Sequence, residues 1–320
     1  MKQLKETAQK IKSMEIRGAG RIARTAAAEL RDYAGRLKTS DLVEFNKMME
    51  HAAGLLVSTR PTAVSLPNAV RAVMRYEGGT VDEAKADIKK LAGDFIANSE
   101  NAVKRIGEIG ARRVREGDTI MTHCNSSAAI SIMAAAHAQG KNINVIATES
   151  RPRMQGHLTI KQLDTLGIKT SLIVDSAVRY FMKDVDLVVM GADAVTVNGS
   201  VINKIGTSQV ALAAHEARKN VIIAAETYKF SPRTILGELV EIEERDSSEV
   251  LGAEKLRGFP NVDVKNPAFD VTPREYIDLI CTEVGAIPPE MAYVIIKDHL
   301  GWEIKEMNSA IGNRTNHQKH

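Results

Sequence analysis

Two patterns of apolar spacing divide this chain. In the first third, apolar positions recur at helical intervals. Ala23, Ala26, Ala27, Leu30 and Ala34 form one stripe, and Leu42, Phe45, Met48 and Met49 form another. Turns are predicted at Ser58-Thr59-Arg60-Pro61-Thr62 and at Gly78-Gly79, and a long, charge-rich helical pattern runs from Val81 to Val114. Nothing before residue 117 reads as a β-rich core. From Gly117 the texture changes to apolar runs of strand length at Thr119–Thr122, Ile143–Ala147, Thr170–Val174, Leu187–Met190 and Val221–Ala225, most of them β-branched. Amphipathic stretches such as Ser127–Gln139, Leu158–Leu166 and Ser208–Arg218 lie between them. This alternation predicts an α/β fold with a mainly parallel sheet and crossover helices. After residue 235 the pattern is mixed, with loops near Gly258-Phe259-Pro260 and Asn266-Pro267 and a last helix over Pro289–His299. The expected organisation is an N-terminal helical domain, 1–116, followed by a Rossmann-like domain, 117–320.

Composition narrows the function classes. The 320 residues fit about two domains, and 44% hydrophobic with 26% charged residues fits a soluble protein with a full core. The 43 Lys+Arg against 40 Asp+Glu leave only +3, so a diffuse nucleic-acid binder is not expected. Aromatics at 4%, with Trp302 the single tryptophan, weaken any reading built on stacking platforms. Cys124 and Cys281 cannot form a disulfide framework and fall short of a zinc site without histidines, so no metal is expected. The charged start, Met1-Lys2-Gln3-Leu4-Lys5-Glu6, lacks the apolar core of a signal peptide. No stretch approaches the roughly 18 uninterrupted apolar residues of a membrane span. A cytoplasmic, reducing compartment is the expectation.

Candidate chemistry collects where such sheets bind ligands, beyond the carboxyl ends of the strands. There stand His123-Cys124-Asn125-Ser126-Ser127, Glu149-Ser150-Arg151-Pro152-Arg153, Asp175-Ser176, Gly191-Ala192-Asp193 and Glu226-Thr227-Tyr228-Lys229. Cys124 lies between a strand and a helix starting near Ser126, and a helix N-terminus lowers a thiol pKa. The competing reading is a small buried apolar thiol, the reading preferred for Cys281. Asp193 ends the apolar run Leu187–Ala192, where desolvation favours an acid, although an Asx-turn or cap aspartate fits the spacing equally. Arg17-Gly18-Ala19-Gly20-Arg21 opens a helical pattern with backbone N–H groups and guanidinium for an anion. Asn203-Lys204-Ile205-Gly206-Thr207-Ser208 precedes another helix, and its glycine and hydroxyls can cradle a phosphate. With Arg60 and Lys229 these cations point to a small, doubly anionic ligand.

The ordered set Arg17–Arg21, Thr122-His123-Cys124-Asn125, Glu149-Ser150-Arg151-Pro152, Gly191-Ala192-Asp193-Ala194, Val201–Thr207 and Asn266–Pro273 resembles one superfamily over most of the chain. It joins the alpha, beta and delta subunits of the exchange factor for translation initiation factor two with methylthioribose-1-phosphate isomerases and archaeal ribose-1,5-bisphosphate isomerases. The exchange-factor subunits typically lack the catalytic Cys and Asp, whereas Cys124 and Asp193 are both present here. Methylthioribose-phosphate isomerases usually carry Arg-Gly-Ala-Pro and an Asp followed by Arg; Gly20 and Ala194 instead resemble the ribose-1,5-bisphosphate isomerases.

That resemblance implies conversion of α-D-ribose 1,5-bisphosphate to ribulose 1,5-bisphosphate in a route of AMP degradation, without metal or redox cofactor. It also implies AMP as activator and a homo-hexamer built as a trimer of dimers. Asp193 would protonate the ring oxygen, and a Cys124 thiolate would take the C2 proton, with a direct C2-to-C1 hydride shift as the rival. Arg17, Gly18, Ala19, Gly20, Arg60, Ser126, Ser127, Ala128, Asn203, Lys204 and Lys229 are then expected to hold the phosphates and hydroxyls. Methylthioribose-1-phosphate isomerase and a non-catalytic nucleotide-binding subunit are the alternatives.

Overall fold

The computed structural model describes residues 1–16, 18–60, 63–232 and 242–302. The chain divides into two compact units, Met1–Ala102 and the part from Val103 onward. The first is built from α1 (Lys2–Lys12), α2 (Ala19–Arg36), α3 (Leu42–Val57), α4 (Ser65–Val73) and the first part of α5 (Val81–Ala111). Their apolar stripes form one core that includes Leu4, Ile11, Leu30, Phe45, Met49, Leu66 and Ile88. The predicted α2 stripe is buried from Ala23 to Ala34, and its small side chains let α2 pack closely on α4. Asp41 caps α3, accepting from the Val43 N–H at 2.8 Å.

The second unit holds a seven-stranded sheet. Its strands are β1 (Thr119–Thr122), β2 (Asn144–Thr148), β3 (Lys169–Ile173), β4 (Leu187–Gly191), β7 (Asn220–Ala224), β9 (Leu279–Thr282) and β10 (Gly285–Ile287). The spatial order is β10-β9-β7-β4-β1-β2-β3, parallel except for β10. Crossovers run through α6 (Ser127–Ala138), α7 (Gly156–Thr165), α8 (Val178–Phe181) and α9 (Thr207–Glu216). Alternation along each central strand feeds two cores. Met121, Val188, Met190, Val221 and Ile223 face one, with Val210 and Ala214 of α9; Ile120, Leu187, Val189 and Ile222 face the other, with Ile132 and Met133 of α6. Coverage on both faces explains why these strands read as near-continuous apolar runs. From β1 the chain winds outward through β2 and β3, then returns to β4 on β1's other side. The topological switch point therefore lies between β1 and β4.

A second, antiparallel sheet of β5 (Ala194–Val195), β6 (Val201–Lys204) and β8 (Phe269–Thr272) was not expected from the sequence. Strands of two to four residues are too short to display a period. The stretch read as mixed also supplies β9 and β10, while the Pro289–His299 helix is present as consecutive 3-10, α and π turns. Among the described residues, no helix is long and apolar enough to cross a membrane.

Candidate active site

Cys124 and Asp193 follow the tips of β1 and β4, the two neighbouring strands at the switch point. Gly191 lets the end of β4 approach the start of α6, since a Cβ there would lie 2.3 Å from Ser126 Oγ. Ser126 caps α6, its Oγ accepting from the Ala129 N–H at 3.2 Å. Ser127 and Ala128 occupy the first helical turn, where amide groups have no intrahelical acceptor.

Two cations stand at the site, Lys204 buried and Arg245 half-buried. Lys204, 6% exposed on β6, donates to the Ala268 carbonyl at 3.1 Å and lies 5.0 Å from the centre of the Phe269 ring. Arg245 stacks on the same ring at 5.7 Å and pairs with Glu243 at 3.2 Å. Burial pulls the Lys204 ammonium below its usual range, and the like charge of Arg245 adds to this, while Cys124 and Asp193 oppose it. Cys124 is pushed up to about 11, first by burial; Asp193 adds to the rise, and the Asn125 backbone N–H, Lys204 and Arg245 work against it. These mutual effects bring Cys124, Asp193, Lys204 and Arg245 into one electrostatic cluster. The Asn125 N–H and the two cations favour the thiolate less than burial opposes it, so the Cys124 thiol is neutral at neutral pH. Cys281, fully buried on β9, is likewise pushed up to about 11 by burial.

Beneath this cluster His123 is fixed at both nitrogens. The Ile205 carbonyl at 2.9 Å can only accept, so Nε2 carries the hydrogen, and Nδ1 accepts from the Thr148 hydroxyl at 2.6 Å. Burial holds the His123 imidazolium below its ordinary range, so this histidine is neutral scaffolding. Gly206 stacks against it with φ +103°, and a Cβ would lie 2.9 Å from His123 Cε1. Gly206→Ala is expected to destabilise the protein by about 1–3 kcal/mol through backbone strain and displacement of the ring. A denaturant midpoint equal to that of the parent protein would refute this.

The phosphate cradle expected at Gly206-Thr207-Ser208 is already occupied. Asp270 accepts from the Gly206 N–H at 2.7 Å, the Ser208 N–H at 3.2 Å and the Ser208 hydroxyl at 2.8 Å. The Thr207 hydroxyl donates to the Lys204 carbonyl at 2.6 Å and accepts from Asn203 Nδ2 at 3.0 Å. Asn203 and Thr207 thus shape the turn that carries Lys204, and the start of α9 is capped by a carboxylate. Lys229, also buried, ion-pairs with Glu226 Oε2 at 2.7 Å. Burial alone would push the Glu226 carboxyl up, but the Lys229 charge and its hydrogen bonds hold it below the usual carboxylate range. The Lys229 charge is therefore neutralised locally.

In the helical unit, Gly18 takes φ +87° immediately before α2, whose first residues include Ala19 and Gly20. The Arg60 guanidinium donates to the Met14 sulfur, close to the same loop. Arg17 lies outside the described residues. Arg245, Thr159 and Asp270 were not singled out from the sequence. Arg245 and Asp270 fall in the aperiodic region, and Thr159 is one polar position among several in an amphipathic helix. Among the described residues, no three His, Cys, Asp or Glu side chains are grouped to hold a metal ion.

An α/β sheet with ionisable groups at its switch point defines a small-molecule site of the nucleotide- or sugar-phosphate-binding kind. The chain matches the Initiation factor 2 subunit family over residues 15–289, and it belongs to that family. It is similar to Ribose 1,5-bisphosphate isomerase of Archaeoglobus fulgidus, 59% identical over 302 residues that cover 94% of this chain and 95% of the relative. The relative of the same name from Thermococcus kodakarensis is 54% identical, covering 95% and 97%. Among solved structures, translation initiation factor eIF-2B of Pyrococcus horikoshii OT3 superposes with a TM-score of 0.78 at 31% identity, covering 90% of this chain and 98% of that one. The superfamily resemblance drawn from the motifs is borne out.

Proposed function

We propose that this protein isomerises ribose 1,5-bisphosphate to ribulose 1,5-bisphosphate, with residues from 117 onward as the catalytic domain. The observation that carries the reading is the pairing of Cys124 and Asp193 beyond adjacent strands, beside the buried cation Lys204 and the half-buried Arg245. The two archaeal relatives of that name, at 59% and 54% identity, supply the substrate. A phosphorylated C1 oxygen prevents spontaneous opening of the sugar ring, so the ring oxygen needs a proton as its bond to C1 breaks. Asp193 gives that proton while the Cys124 thiolate takes the hydrogen at C2, and the C2–H electron pair becomes the C1–C2 double bond. The resulting enol returns its C2 hydroxyl proton to Asp193, and Cys124 protonates C1, leaving a ketone at C2 and both side chains restored. A hydride shift from C2 to C1 uses the same Asp193 proton and is the second route.

Lys204, with Arg245, supplies positive charge beside the reacting carbons, and the first turn of α6 at Ser126–Ala128 supplies amide donors. The assignments of Arg17, Gly18–Gly20, Arg60, Asn203 and Lys229 to substrate rest on the motif resemblance. AMP as activator and a homo-hexameric assembly belong to the same proposal. Purified protein incubated with ribose 1,5-bisphosphate, with and without AMP, is expected to yield ribulose 1,5-bisphosphate and to leave methylthioribose 1-phosphate unchanged. No turnover under either condition would refute the reading, and turnover of methylthioribose 1-phosphate alone would replace it with the neighbouring isomerase.

A further inference from the structure

Cys124 has φ +67°, in the left-handed region that residues with a Cβ seldom enter. Both of its peptide groups are taken by buried hydroxyls from other elements. The Cys124 N–H donates to Ser150 Oγ at 2.8 Å, and Thr159 Oγ1 donates to the Cys124 carbonyl at 2.6 Å. Ser150 and Thr159 are each 1% exposed. Ser150, beyond the end of β2, is itself left-handed at φ +60°. Its N–H donates to Asp175 Oδ1 at 2.9 Å and that of Arg151 to Oδ2 at 2.8 Å, and Asp175 stands beyond the end of β3. On the other side, Thr159 Oγ1 accepts from Asn125 Nδ2 at 3.0 Å. A chain of bonds therefore ties the tips of three successive strands together and ends on the backbone of one cysteine.

We propose that Ser150 and Thr159 are positioning residues for the isomerisation, clamping the Cys124 backbone from both sides so that its thiol is held in the orientation the reaction uses. This rests on the reading of Cys124 as the group that handles the C2 and C1 protons. A hydroxyl suits both places because it donates and accepts at once: Ser150 takes an N–H, and Thr159 gives to a carbonyl while taking the Asn125 amide. Loss of either bond removes part of what offsets the left-handed conformation. Relaxation of φ swings the Cα–Cβ bond and moves the sulfur, and a displacement of about 1 Å at a reacting group costs up to about a hundredfold in rate.

Ser150→Ala and Thr159→Val are expected to lower kcat by about tenfold to a hundredfold while KM stays within about threefold. Thr159→Ser, which keeps the hydroxyl, is expected to restore kcat. Alkylation of Cys124 by iodoacetamide, followed peptide by peptide, gives a readout independent of turnover; its rate is expected to change in Ser150→Ala and Thr159→Val and to return in Thr159→Ser. If Thr159→Val does not fold, Ser150→Ala, which removes one oxygen, carries the test. Cys124→Ser is assayed beside them. Turnover retained in Cys124→Ser overturns the role of the cysteine, and the clamp is then judged on alkylation alone. An inactive Cys124→Ser together with parental kcat and alkylation in Ser150→Ala and Thr159→Val overturns the clamp.

Discussion

Asp193→Asn is expected to abolish turnover while leaving the fold and bisphosphate binding in place. The carboxamide is nearly isosteric with the carboxyl but cannot deliver a proton to the ring oxygen, and loss of a general acid costs about a hundredfold to ten-thousandfold. Folding survives because the main chain here is held without the side chain: the Asp193 N–H donates to the Ile202 carbonyl at 2.9 Å, and Ala194 pairs with Ile202 in the small sheet. The substitution also removes a negative charge that helps push the Cys124 thiol up to about 11. The thiol should therefore ionise at lower pH in Asp193→Asn, seen as an acid-ward shift of the alkylation profile. Melting temperature, substrate binding and turnover belong on the same preparations. Near-normal turnover would remove the acid role and leave the chain closer to the binding subunits of its family.

The sequence made the parallel sheet and the strand tips legible because burial on both faces writes each strand as an apolar run with polar residues at its end. The five runs lie within a residue or so of β1, β2, β3, β4 and β7. Their order in space was not legible. That Cys124 and Asp193, almost seventy positions apart, stand on neighbouring strands follows from the return of the chain to β4 beside β1, which local pattern cannot encode. The thiol's protonation state depended on the same long-range facts. A cysteine just before a helix reads as activated, yet desolvation outweighs the Asn125 N–H and two cations. The Gly206 turn read as a phosphate cradle because its own residues suit one. Asp270, paired across from Asn203 in the β6–β8 register, fills it from 64 positions beyond Gly206.

Cys124→Ser is expected to lose about a hundredfold to ten-thousandfold in turnover, since a hydroxyl is far less acidic than a thiol and leaves C2 without a base. The companion expectation concerns pH. The resting form keeps the proton on the Cys124 thiol, and the reactive form carries it on Asp193. The two arrangements hold the same number of protons and differ by one proton moved within the pair, so their ratio does not change with pH. With Cys124 pushed up to about 11, kcat/KM should stay level through neutrality and fall on the alkaline side only as the thiol of the free protein loses its proton. A base acting alone with that pKa would instead give a rate rising about tenfold per pH unit through the same range. If Cys124 merely fills space, Cys124→Ser costs about 1–2 kcal/mol of stability through a poorly satisfied hydroxyl. Activity per folded molecule then stays near that of the parent. Parental turnover in Cys124→Ser would end the role proposed for this residue, and a kcat/KM that climbs steadily through neutrality would end the shared-proton account of the pair.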